Sequence, residues 1–428
     1  MKFLWIAILI SSVGGTTIAQ TTGPRHVQLV REKSAYQLLV NGSPYFCKGA
    51  VGIDYLDRLS RYGGNSIRTG TNRPTLDKAQ QYGLTALVNL PVRAERDGMN
   101  YDDAGAVRRQ HEAVLAQVRL LKEHPAVLMW ALGNELDFIQ ANVKETYNHR
   151  VWKAVNALAS EIHRIDPNHP VMTVVGSIDR DKIKTLLTEC PNLDLLGINE
   201  YGDLNKIPGW LRQYGWQKPY AVTEWGPTGF WQVRKTPWKA PIEETSSQKA
   251  DKYRERYAGT IAADTDRCVG SYVFLWRQHQ ERTHTWFGMF DKNGLETEAV
   301  DVMHHAWTGR WPTNRSPRLD SVKIGYKTAA EGVYLQATRT YEATVWASDP
   351  EADSLRYKWE VLPEGTNFPY GGNGENLPPA LPGLIDQPAQ RQVSFRAPMG
   401  TGAYRLFVYA YDDHGHWTTA NIPFFVEQ

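Results

Sequence analysis

The sequence predicts an α/β chain, a closed (β/α)8 TIM barrel followed by a small all-β sandwich. Three observations carry this. Short β-branched or apolar runs alternate with helical patterns from about Phe46 to Trp307. A proline-bounded polar stretch follows, from Trp311 to Pro317, and beyond it the pattern changes to strands alone. A length of 428 residues accommodates a barrel of roughly 250 residues and a second, smaller domain.

Taken in chain order, Lys2 precedes an apolar run from Phe3 to Ile10, and Thr17-Ile18-Ala19 offers small residues for cleavage before Gln20. Residues 1–19 therefore read as a signal peptide, with the mature chain secreted or periplasmic. The apolar run is too short to span a bilayer. Residues 20–45 read as an N-terminal β-hairpin, in which Asn41-Gly42 supplies the positive φ angles of a tight turn. This hairpin is expected to plug the bottom of the barrel.

Residues 46–310 hold eight strand candidates: Phe46–Ile53, Asn65–Gly70, Leu84–Pro91, Ala126–Glu135, Val171–Gly176, Leu195–Tyr201, Tyr220–Gly226 and Val269–Trp276. Eight is the number that closes a (β/α)8 barrel, and unbroken apolar runs are expected where parallel strands are buried on both faces. Helical spacing is clearest over Asp103–Glu123, Glu145–Ile165 and Ser247–Ala263, the first two ending at His124-Pro125 and Asp166-Pro167.

Residues 311–317 form the linker and 318–428 the sandwich, with strands such as Tyr341–Trp346, Tyr357–Val361 and Tyr404–Tyr411 between Gly/Pro/Asp clusters. Trp359 is a candidate core residue. The segments Ser348–Asp353 and Tyr411–Gly415 resemble those of bacterial immunoglobulin-like modules of the PKD and cadherin-like kind. Their acids are read as solvated turn residues, with Ca²⁺ binding as the alternative.

A formal net charge of +2 and no long charged block leave no sign of a nucleic-acid partner. Fifteen Trp and twenty-one Tyr supply flat faces able to stack on sugar rings, or else fill large aromatic cores. Three cysteines, Cys47, Cys190 and Cys268, lie in or beside apolar segments, away from metal-ligand spacing, and read as buried thiols. No metal-binding His-Glu-x-x-His, phosphate loop or dinucleotide glycine fingerprint occurs, so no cofactor and no metal are expected.

Two strand ends stand out. The fourth strand ends in Trp130-Ala131-Leu132-Gly133-Asn134-Glu135 and the seventh in Val222-Thr223-Glu224-Trp225-Gly226. Active sites of such barrels lie at the C-terminal ends of the strands, so the two glutamates converge there. Glycoside cleavage with retention needs one carboxyl to protonate the leaving oxygen and another, about 5 Å away, to attack the anomeric carbon.

On these residues the chain resembles glycoside hydrolase clan A, and the run His124–Glu135 is similar to the fourth-strand motif of family 2 catalytic barrels. The resemblance implies a retaining enzyme with Glu135 as acid/base and Glu224 as nucleophile. It implies that Arg68, ending Asn65-Ser66-Ile67-Arg68, supports the nucleophile. It further implies that Asn134 binds the sugar 2-hydroxyl, Tyr201 orients Glu224, and Trp276 floors the subsite at the cleaved bond. Arg68 as a surface residue, and Tyr201 and Trp276 as ordinary core aromatics, are the alternatives. Glu200 adjoins Tyr201, but strand alternation faces it the other way and no catalytic role is expected.

Trp225 and Trp286 are further substrate-binding candidates. His279, Glu281, His284, Trp231 and Trp238 are candidates for outer subsites. Arg93, Glu95 and Arg96 either contact hydroxyls or form solvated ion pairs. No sandwich domain precedes the barrel, unlike family 2, so an open cleft is expected rather than a pocket. A barrel followed by an immunoglobulin-like domain is similar to the family 158 endo-β-1,3-glucanases, and the short barrel to fungal β-1,3-glucanosyltransferases. The expected substrate is a β-linked polysaccharide, a β-glucan with β-1,3 linkage foremost. Transglycosylation by the same residues is the second reading, and a non-catalytic glycan-binding protein on a barrel scaffold the third. The sandwich reads as a spacer or packing partner, or as a sugar-binding module using Phe368 and Tyr370. Oligomeric state is not legible in the residues.

Overall fold

The computed structural model describes residues 23–138, 147–365 and 375–428. The signal-peptide residues 1–19, the first residues of the expected helix from Glu145, and Phe368 and Tyr370 lie outside the described residues.

Three short strands come first, β1 (Val27–Glu32), β2 (Ala35–Val40) and β3 (Ser43–Tyr45), in one antiparallel sheet. Asn41 and Gly42, at φ 51° and 79°, make the β2–β3 turn. A second turn at Lys33, φ 57°, adds β1, so the expected hairpin is a three-stranded meander. Val27, Leu38 and Val40 share an apolar cluster with Cys47, Leu128 and Met129 of the barrel interior. Val27 N–H donates to Asn168 O and Tyr36 N–H to Asp266 O. Both acceptors precede barrel strands, so the sheet covers the N-terminal end of the barrel.

The barrel strands are β4 (Cys47–Val51), β5 (Ser66–Thr69), β6 (Thr85–Leu90), β7 (Val127–Leu132), β8 (Val171–Gly176), β9 (Leu195–Asn199), β10 (Tyr220–Trp225) and β11 (Cys268–Val273). They pair in chain order, all parallel, and β11 closes on β4 through Gly270 opposite Cys47. Helices α1 (Leu56–Arg61), α2 (Arg73–Gln81), α3 (Ala104–Leu121), α4 (Arg150–Ile165), α5 (Arg180–Glu189), α6 (Ile207–Tyr214), α7 (Ser246–Arg256) and α8 (Glu298–Thr308) stand between or after them. Every residue of β7 is buried, as the apolar run requires of a strand packed on both faces. Asp103 caps α3, accepting from the N–H groups of Gly105 and Ala106. The helix expected over Ser247–Ala263 changes at Tyr257 to a π turn running to Ile261.

Beyond the barrel, β12 (Arg318–Ile324), β13 (Val333–Gln336), β14 (Thr340–Ser348), β15 (Arg356–Pro363), β16 (Ile385–Asp386), β17 (Gln392–Arg396), β18 (Gly402–Tyr411) and β19 (Trp417–Glu427) form two four-stranded sheets, β12-β14-β17-β16 and β13-β19-β18-β15. Their inner faces share one core that includes Trp359, Phe395 and Phe424. Asp349, Asp353 and Asp412 bring carboxylate oxygens within 4.8 Å of one another. Asp349 and Asp412 also cap turn N–H groups at Glu351, Asp353, His414 and His416.

The all-β unit sits on α7 and α8. Leu319 N–H donates to Ser247 Oγ, Asn421 Nδ2 to Glu243 Oε2, and Ser316 N–H to Asp301 Oδ2. Cys47, Cys190 and Cys268 are buried free thiols. Among the described residues no helix is long and apolar enough to cross a membrane.

Candidate active site

The ends of β5, β7, β8, β9 and β10 build the site. After β7 the chain turns sharply, with Gly133 at φ 72° and Glu135 at φ 48°. A Cβ on Gly133 would lie 2.6 Å from Leu136 Cδ2 and 2.9 Å from Val92 O, so only glycine fits this turn. Glu135 N–H is held by Val174 O at 2.8 Å. Arg96 straps the same turn from the β6 side, donating to the carbonyls of Asn134 and Glu135. Its role is thus to fix backbone. Arg93 donates to Asp97 O and Glu95 accepts from Asn148 N–H, so these two hold loops.

Arg68, at the end of β5, is 4 % exposed and at the centre of the cluster. Its guanidinium donates to Glu224 Oε1 at 2.8 Å, Asn134 Oδ1 at 2.6 Å, Asn199 Oδ1 at 3.2 Å, Thr223 O at 3.1 Å and Asn89 Oδ1 at 3.2 Å. A planar, permanently charged fork suits such a role. Asn199, the last residue of β9, donates from Nδ2 to Glu135 Oε1 at 2.8 Å and to Asn134 Oδ1 at 3.0 Å, and accepts from Thr223 Oγ1 at 2.8 Å. One amide therefore ties both glutamates to one arginine. Gly176, ending β8, leaves the space Glu135 fills, since a Cβ there would stand 2.9 Å from the Glu135 carboxyl carbon.

Tyr201 Oη donates to Glu224 Oε2 at 3.2 Å. Burial holds this phenol well above its usual pKa, so it stays a donor. Burial also pushes the Glu224 carboxyl up to about 7. Arg68 and Tyr201 pull it down, and the charge of Glu135 pushes it up. Glu200 points elsewhere, accepting from the N–H groups of Tyr201 and Asp203.

The structure thus brings Arg68, Asn134, Glu135, Tyr201 and Glu224 together. The tryptophans are a correction. Trp225, Trp276 and Trp286 are 0, 0 and 1 % exposed and offer no ring face to a ligand. Trp225 follows Glu224, so strand alternation turns it outward onto Tyr253 and Tyr257. Trp276 lies past the end of β11 and packs between Phe290 and Trp307. Trp286 bonds Thr228 O and packs on Phe230.

Phe274 is half-buried, its ring 6.0 Å from that of Tyr201. Trp231 is 49 % exposed and stands edge-on to Tyr201 at 5.4 Å. Trp238 packs instead on Tyr334 and Phe425 of the all-β unit. His284 bonds Tyr409 Oη there as well.

Asn199 and Phe274 were missed by sequence reasoning. Asn199 sits at an inward-facing strand end, two residues before Tyr201 and on the same side of the strand, which was a usable signal. Phe274 sits in a run of apolar residues whose register no sequence feature fixes.

The model of the family described as glycosyl hydrolases family 2, TIM barrel domain, matches residues 78–249, a span that contains Asn134, Glu135, Asn199, Tyr201 and Glu224. A β-glucuronidase of Paenibacillus borealis is 22 % identical over 283 residues, 56 % of this chain and 44 % of that protein. Among solved structures, the crystal structure of Bacteroides uniformis β-glucuronidase superimposes at a TM-score of 0.51 and 14 % identity, covering 94 % of this chain and 48 % of that one. Bacteroides uniformis β-glucuronidase 2, covalently bound to cyclophellitol-6-carboxylate aziridine, gives the same TM-score of 0.51, identity of 14 % and coverage of 94 % and 48 %. The likeness to the solved structures is one of fold. The chain spans about half the length of these relatives.

Proposed function

We propose that this family 2-like glycoside hydrolase barrel cleaves β-glycosidic bonds by double displacement, with Glu224 as nucleophile and Glu135 as acid/base. The observation that carries the reading is the Asn199 bridge from Glu135 to Arg68, which pairs in turn with Glu224. Two carboxyls so joined are poised to act on one bond.

In the first step a Glu224 oxygen bonds the anomeric carbon, the bond to the leaving oxygen breaks, and Glu135 gives that oxygen its proton. Arg68 and Tyr201 hydrogen-bond the attacking carboxylate and hold it in line. Esterification removes the negative charge facing Glu135. Glu135 then takes a proton from water, which attacks the same carbon and frees Glu224. Two inversions leave the β configuration retained. Asn134, whose Oδ1 is held by Arg68 and Asn199, presents its amide to the sugar 2-hydroxyl, an interaction that strengthens as oxocarbenium character develops.

We propose a neutral β-glucan as substrate, with β-1,3 linkage foremost, met outside the cytoplasm after removal of residues 1–19. The exposed Trp231 ring supplies a stacking face beside Tyr201. The second reading is a β-glucuronide, favoured by the names of the relatives and by Arg277, whose buried Nε has no partner among the described residues. Transglycosylation uses the same first step with a sugar as acceptor.

The test is turnover of a panel of aryl β-glycosides and β-glucans, followed by NMR of the first-formed anomer and mass spectrometry after a β-configured mechanism-based inhibitor. Retained configuration and a label on Glu224 are expected. Inverted product, or a label elsewhere, refutes the assignment.

A further inference from the structure

The loop after β11, residues 275–288, reaches Tyr201 through Phe287, yet much of its support comes from the all-β unit. The loop tightens into a turn in which Glu281 and Thr283 exchange backbone hydrogen bonds and Arg282 adopts a φ of 65°. Any residue with a Cβ enters that left-handed region at a cost, so something must hold it there.

Two glutamates of the all-β unit do so. Glu375 Oε2 accepts from Arg282 N–H at 2.8 Å and from Gln280 Nε2 at 3.2 Å. Glu364 Oε1 accepts from the Arg282 guanidinium at 2.7 Å, while Arg405, 2 % exposed, grips both oxygens of Glu364 from behind. On either side of the turn, the loop packs against Phe274 and Tyr201. His279 bonds Glu281 at 3.1 Å, both side chains about nine-tenths buried, and the His279 ring stands edge-on to Phe274 at 6.2 Å. Phe287 lies 5.5 Å from the Tyr201 ring, and Tyr201 bonds Glu224.

We propose that Glu375 and Glu364 are positioning residues for the active site: by fixing the turn at Arg282 they hold the His279–Glu281 pair against Phe274 and Tyr201, where it walls the sugar site. This rests on the glycosidase reading above. Plain packing between two domains does not need charged acceptors spent on a turn's N–H and a glutamine amide. A loop whose conformation sets a subsite wall does.

The experiment compares the full-length protein with Glu375→Ala, Glu375→Gln and Glu364→Gln. Hydrogen exchange at the Arg282 amide reads the clamp without any substrate, and steady-state kinetics on the best β-glycoside found reads the wall. In Glu375→Ala, exchange at residues 280–283 is expected to quicken at least tenfold. Its kcat/KM is expected to fall by roughly tenfold, chiefly through KM, at an unchanged unfolding midpoint. Glu375→Gln keeps an acceptor oxygen for Arg282 N–H and is expected to recover most of the loss. Glu364→Gln is expected to quicken exchange at residues 280–283 as Glu375→Ala does but, because it also weakens the buried pair with Arg405, to lower the unfolding midpoint as well.

Faster exchange with unaltered kinetics, unaltered exchange, or activity lost only in step with stability overturns the proposal. Absence of wild-type turnover and of Glu224 labelling removes the glycosidase reading itself, a result distinct from a wild-type enzyme matched by Glu375→Ala.

Discussion

A buried guanidinium decides what the two glutamates can do. Arg68 pairs with Glu224 while Asn199 links it to Glu135, so charge on one carboxyl is felt by the other. Burial raises Glu224 to about 7, and the proposed double displacement needs Glu224 ionised. The sign follows: kcat/KM falls as pH drops through that region, well above the range of a free glutamate. Replacing Arg68 by Met removes a positive charge that lowers this value. The acid limb of the pH profile is then expected to move up by one unit or more, with rate lost more at pH 6 than at pH 8. A limb that stays in place refutes the role given to Arg68.

The tryptophans make the opposite point, since their chemistry alone does not say which one meets a sugar. Trp231, exposed beside Tyr201, is expected on substitution by Ala to raise KM about tenfold with little effect on unfolding. Trp276→Ala is expected to destabilise by about 3–5 kcal/mol, because a fully buried ring leaves a cavity among Phe290 and Trp307. Chemical denaturation beside kinetics separates the two.

At the level of elements, the strand ends are shaped by glycine as much as by acids. Gly176 lets Glu135 lie across the end of β8, where a Cβ would stand 2.9 Å from its carboxyl. Gly176→Ala is therefore expected to lower kcat by at least tenfold while costing no more than about 1–2 kcal/mol of stability. An unchanged kcat shows that Glu135 has room elsewhere.

The alternation that turns Glu200 away from Tyr201 also turns Trp225 away from Glu224. That much was legible in the sequence but not applied to both pairs. The bounds of β8 and β10 were likewise readable, because their apolar runs are continuous, whereas β7 stops at Leu132, short of the expected Glu135, where the turn at Gly133 begins. The third strand of the N-terminal sheet was not, since the turn at Lys33 carries no glycine or asparagine.

Across the whole molecule the barrel and the all-β unit share one polar seam. Arg405 donates to Glu364, Asn421 and Pro241 O, and Asn421 reaches Glu243, which also holds Lys249, Thr283 and Thr285. Cutting one buried partner strands the rest. Arg405→Met is expected to cost about 3–5 kcal/mol and, by calorimetry, to lower a single unfolding transition covering both parts. Two transitions, with only the later residues affected, refute this unity. The sandwich is in that sense a packing partner of the barrel, one of the roles expected from the sequence.

By itself the sequence determined the order of eight parallel strands, the all-β unit after them, and two glutamates at strand ends, because burial on both faces writes unbroken apolar runs and barrels gather strand termini at one mouth. Only the tertiary structure decided which aromatic faces open space, which amide joins the carboxyls, and that Glu364 and Glu375 reach back to the barrel. Those outcomes depend on side-chain direction past the strand ends and on contacts between residues far apart in the chain, and neither leaves a periodic trace in the sequence.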